Sequence, residues 1–140
     1  MNNSTETEGF PSGIRALKKE ILSALHCALP GIVEAFDPET QTAAVRPALK
    51  RRTGSGPGKD ACALPLLRDV PVFMPVPFEV NPGDACLLVF ADCDIDAWLE
   101  TGEAEIPRSG RQHSLSDAFA FIGFKPRFTS TPEAAADHSL

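Results

Sequence analysis

The 140-residue chain is long enough for one domain with tails and too short for two full cores; 43% of its residues are hydrophobic. Its net charge of −6 is uneven: residues 1–60 hold eight Lys/Arg against seven acids, and residues 61–140 hold five against twelve. An acidic chain with no basic stripe argues against nucleic acid as the main partner, and no apolar run approaches the roughly 20 residues that span a bilayer.

Residues 1–11 are polar and are expected to be disordered. Ser12 can cap a helix over 12–29, with Ile14, Leu17, Ile21, Ala24, Leu25 and Ala28 on one face and Arg15, Lys18, Lys19 and Glu20 opposite. Pro30 and Gly31 should end it. The apolar face either covers the open end of the following domain or docks a partner, which makes Ile14, Leu17, Ile21 and Leu25 candidate interface residues.

Strand signals follow. Residues 31–36 and 41–49 flank an Asp37-Pro38 turn in which proline's fixed φ suits a tight turn, so they read as a hairpin. Residues 50–60 are basic and rich in Gly, and read as a flexible loop that is solvated or touches an acidic neighbouring subunit, with contact to DNA as the alternative. Residues 64–76 form a third strand whose Pro65, Pro71 and Pro75 require an edge or a bulge. Pro82-Gly83-Asp84 then turns the chain into an unbroken apolar run, Cys86 to Phe90, as in a strand covered on both faces.

That run stops at Asp92, Asp94 and Asp96, an acidic rim that is solvated or faces another subunit, before Trp98 supplies a large apolar anchor expected to be buried. Residues 94–101 fit a short helix or a strand extension. Residues 116–124 are the last strand, alternating Phe119 and Phe121 with Ala120 and Ile122, and residues 126–140 read as a loose tail. The whole is mainly β: a five-stranded antiparallel barrel of oligonucleotide/oligosaccharide-binding (OB) type over 30–125, with an N-terminal amphipathic helix, or else a small sandwich.

No residue set announces chemistry. Cys27 beside His26 lacks anything to orient the imidazole, because adjacent helical side chains point apart. His113 with Asp117 could be a base and its carboxylate, or a satisfied polar contact. The three alternating aspartates lack the glycine and distant glutamate of a calcium loop. Four cysteines at 27, 62, 86 and 93 match neither zinc nor redox spacing, and no secretory leader precedes them, so synthesis in a reducing cytoplasm is expected. The expectation is therefore no catalytic residue, no metal and no cofactor. A glycan- or nucleic-acid-binding barrel would need aromatic platforms beside basic residues, and Trp98 lies among acids.

Six stretches occur in one order: Pro30-Gly31-Ile32-Val33-Glu34; Asp37-Pro38 with Thr40-Gln41-Thr42; Asp69-Val70-Pro71-Val72; Pro82-Gly83-Asp84 with Leu87-Leu88-Val89-Phe90; Ile95-Asp96 with Trp98; and His113 with Leu115-Ser116-Asp117-Ala118-Phe119. Together they resemble the N-terminal OB-fold domain of baseplate central-spike proteins of contractile-tailed bacteriophages, over about residues 14–125. The resemblance implies a virion protein of the tail baseplate: a homotrimer on the tail axis that joins the baseplate hub protein to the cell-puncturing tip. It implies no stable nucleic-acid binding, and contact with a membrane only during host envelope penetration. The three histidines never form the His-x-His pairs of an iron-binding tip, and residues 125–140 contain no strand repeat for a piercing body. The tip is therefore expected to be a separately encoded protein.

Overall fold

The computed structural model describes residues 3–52 and 61–127. In chain order these form α1 (Asn3–Ala24), β1 (Ala28–Asp37), β2 (Thr42–Pro47), β3 (Lys50–Arg52), β4 (Ala61–Ala63), β5 (Leu67–Pro71), β6 (Ala85–Phe90), α2 (Asp96–Thr101) and β7 (Ala118–Phe124). Five strands make one antiparallel sheet in the order β5-β2-β1-β6-β7, and β3 pairs with β4 in a separate ribbon. The sheet curls into a half-barrel of OB-like type, as the mainly β reading requires. Two compact units divide the residues: one takes α1 through Ala28 with Val89–Phe119, the other takes Leu29–Leu88 with the chain from Ala120.

In the second unit, the Asp37 carboxylate accepts the Glu39 N–H at 2.9 Å and so closes the β1–β2 turn. Curvature comes from two bulges. Val33 and Ala35 face Val45 and Ala44, leaving Glu34 as the extra residue on β1. On β5 three steps from Leu67 to Val70 oppose two from Val45 to Ala43, and Asp69 takes up the extra residue at φ +54°. Past Pro71 the chain leaves β2: Val72 makes a parallel bridge to Ala120, and Phe73 N–H donates to the Ala120 carbonyl at 2.9 Å. Gln41 fixes this crossing from both sides. Its side-chain amide donates to the Val72 carbonyl at 2.8 Å, and its own carbonyl accepts the Val72 N–H.

The core of this unit is Val33, Val45, Leu88, Cys86 and Ala120 with Ala43, Leu67, Val70 and Val72, all buried. Gly31 lies among them: a Cβ there would stand 2.6 Å from Val45 Cγ1, 3.0 Å from Leu88 Cδ1 and 3.1 Å from Cys86 Sγ. Along β6 only Cys86, Leu88 and Phe90 are fully buried, and the residues between them are half-buried. The expectation of two equally covered faces is thus met on one face alone.

In the first unit the helix departs from the expected 12–29 at both ends. It begins by Asn3 and carries Pro11 inside, so the reading of residues 1–11 as disordered fails for the described part. It stops at Ala24 because the His26 N–H donates to the His113 carbonyl at 3.1 Å instead of continuing the helical ladder. Pro30 and Gly31 therefore lie within β1, not at a helix end. Of residues 94–101, Asp96–Thr101 form the short helix α2, closed by Gly102 at φ +71° with its N–H on the Trp98 carbonyl. The third strand is the shorter β5, and of the basic loop, residues 50–52 are strand while 53–60 lie outside the described residues, as does the tail from 128.

Candidate functional site

The acidic segment after β6 is organised around one cation that spacing did not single out. Arg111 donates through Nε to Asp117 Oδ2 at 3.1 Å, and through Nη2 to Asp117 Oδ1 at 2.9 Å, Asp94 Oδ1 at 2.8 Å and Asp96 Oδ2 at 3.0 Å. Asp117 and Asp94 are buried, whereas the Arg111 side chain is about one-third exposed. The two buried carboxylates accept further bonds. Asp117 accepts the Ile95 N–H, Asp94 accepts the Asp96 N–H at 2.9 Å, and Ser109 donates its hydroxyl to Asp94 Oδ2 at 2.7 Å.

The electrostatics follow from these bonds. The Asp96 N–H and the Ser109 hydroxyl, with Arg111 beside them, hold the Asp94 carboxyl below its ordinary value of 3.8. The carboxylates of Asp117 and Asp96 push the Arg111 guanidinium upward in turn. Oxygens of Asp94, Asp96 and Asp117 lie within 4.8 Å of one another, close enough to share a cation. Arg111 already stands at their meeting point and satisfies them with a planar fork. The arrangement can pin the 102–116 segment to α2 and the end of β6; it presents no nucleophile with a base.

The three aspartates of the expected rim therefore have three different positions. Asp92 is open to solvent, Asp96 is half-exposed on Arg111, and Asp94 is turned inward and buried. His113 does not pair with Asp117 as the acid–base reading required. Its Nε2 lies 3.3 Å from Asp92, and its backbone adopts φ +46°. Cys27 is exposed, and the adjacent His26 ring packs edge-on to Phe90 with centroids 5.7 Å apart, which is a packing role. Trp98 is 47% exposed, not buried, with its ring tilted 6.0 Å from Phe119.

Of the expected apolar face, Ile14, Leu17, Ile21 and Ala24 lie on α1, whereas Leu25 follows its end and Ala28 begins β1. Ile14, Leu17 and Ile21 are each about half exposed and Leu25 is 38% exposed, with Phe10 extending the row toward the N-terminus. A mixed groove of about 380 Å³ is lined by Phe78, Ile122 and Phe124 with the carboxylates of Glu79 and Asp84. No helix among the described residues is long and apolar enough to cross a membrane.

No curated protein matches the chain. A family model does, the phage protein Gp138 N-terminal domain, over residues 29–123, which takes in all but the first residue of β1 and the last of β7, every strand between them and the entire Arg111 cluster, and leaves α1 outside. With that span covering more than half of its length, the chain belongs to the phage protein Gp138 N-terminal domain family, and its role is accordingly that of a phage structural component.

Proposed function

We propose that the chain is a baseplate protein of a contractile phage tail, a homotrimer on the tail axis that joins the hub protein to the cell-puncturing tip. The observation that carries this reading is the family match over nearly all of the curled sheet. The chemistry of the polar residues supports it. The buried carboxylates of Asp94 and Asp117 are both bonded to Arg111 within the chain, so they serve cohesion and not turnover. An adaptor of this kind transmits force and needs a stiff, well-satisfied domain. It has no catalytic activity, touches the membrane only during puncture and holds no stable nucleic acid. Light scattering on the purified protein tests the assembly. A mass of three chains is the expected result, and a monomer at high concentration with no trimer on added hub protein would contradict it.

A second reading draws on one observation, the half-exposed indole of Trp98 beside Phe119. Exposed aromatic pairs stack on sugars or bases. The neighbouring Asp96 and Glu100 would repel a phosphate backbone, so a glycan is the ligand this pair would suit. Titration of the single tryptophan's fluorescence with envelope oligosaccharides separates the two readings: saturable quenching supports the binding module, and no change supports the structural role.

A further inference from the structure

The helix α1 lies outside the family-matched residues and presents an apolar row that the described residues leave open. Its members fall at Phe10, Ile14, Leu17, Ile21 and Ala24, a 4-3-4-3 spacing. That is the a/d pattern of a coiled-coil seam, with isoleucine at both a positions and Phe10, Leu17 and Ala24 at d. Phe10 is 72% exposed and Leu17 57%, so the row is not spent on the chain's own core. Five positions in register along one helix form a contiguous stripe, which scattered surface apolar residues do not.

We infer that this seam takes the same helix of further copies of the chain, packed parallel and in register about their common axis. The flanking charges support that occupant. In a parallel bundle the e position Lys18 faces Gly13 of the next copy, and the g position Glu20 faces Leu25, so no like charges meet. An antiparallel pair overlapping at Leu17 brings Lys18 of one copy toward Lys18 of the other, which repel. Two heptads are too short to hold copies together alone. The inference therefore rests on the proposed axial assembly, which holds the helices at a high local concentration. Isoleucine at a with leucine at d by itself suits two strands. The domains, not the seam, then set the number of copies.

The test uses the full chain with Leu17→Asp and Ile21→Asp, and Lys19→Asp on the outward face as control, each checked for fold by circular dichroism. Sedimentation velocity across a dilution series should show the double seam variant dissociating at a concentration at least tenfold higher than wild type, with the control unchanged. In a second arm, Cys27, Cys62 and Cys93 are replaced by serine, and a cysteine at position 17 or 19 is oxidised. Leu17→Cys should yield covalent pairs and Lys19→Cys should not. A wild-type trimer that the seam substitutions leave unmoved, with equal cross-linking at both positions, overturns this inference and leaves the axial assembly standing. A dimer that depends on the seam upholds the inference and overturns the trimer. A monomer at every concentration overturns both.

Discussion

Replacing Gly31 by alanine should cost far more than one methyl group ordinarily does in a strand. The new Cβ would lie 2.6 Å from Val45 Cγ1, so one of the two must yield by nearly an ångström to regain van der Waals contact. Leu88 Cδ1 at 3.0 Å can rotate aside, but Val45 is fully buried, β-branched and stiff at χ1. Overpacking of this kind costs about 1–3 kcal/mol. At about 4–8 °C per kcal/mol for a domain near 100 residues, a cost of about 2 kcal/mol lowers the melting temperature by roughly 8–16 °C. Thermal unfolding followed by circular dichroism measures it. The mechanism predicts a coupling as well: Val45→Ala removes the clashing methyl, so Gly31→Ala should cost less in that background than in wild type. Wild-type melting of Gly31→Ala, or strict additivity with Val45→Ala, would refute the steric account.

Trp98→Ala should cost about 1–2 kcal/mol in chemical denaturation, below the 3–5 typical of a buried aromatic, because the ring is 47% exposed; a loss above 4 kcal/mol would mean the indole is buried in solution. The depressed carboxyl of Asp94 favours folding above the unfolded-state carboxylate range, and that contribution is lost as pH falls through its folded value, below 3.8. Stability should thus be level above about pH 5 and decline below about pH 4, with a shallower decline in Asp94→Asn; an unaltered acid limb in that variant would contradict the assignment. Burial pushes the Cys86 thiol up to about 11 while Cys27, Cys62 and Cys93 are exposed. Mass spectrometry after brief native-state alkylation should find Cys86 unmodified and the other three labelled, and rapid labelling of Cys86 would show that the core opens.

The strands of the main sheet were legible because their signals are local: a Pro-turn hairpin, a Pro-Gly-Asp turn, an apolar run at Cys86–Phe90; the β3–β4 ribbon carried no such signal. Helix length was less so. Whether α1 stops at Ala24 depends on the His113 carbonyl 87 positions away, a contact that no periodicity carries. The acids of the site were visible, but their partner was not. Arg111 lies 15 residues beyond Asp96 in a segment without pattern, and only the fold brings its guanidinium between Asp94 and Asp117. Pairing His113 with Asp117 failed for the same reason, since Arg111 holds that carboxylate. A signal was available in retrospect: the 61–140 half holds only five cations, and a buried acid must find one of them. The size of Trp98 and its neighbours in sequence point to burial, whereas α2 turns it outward beside Phe119.

The central claim, an axial structural role in a phage tail, is tested most directly by a reconstruction of assembled tails with this chain located by a bound antibody fragment. The account predicts three copies around the tail axis at the baseplate, with hub density on one side and the density of the cell-puncturing tip on the other. Absence of the chain from intact particles, or its location off the axis as single copies, would contradict it.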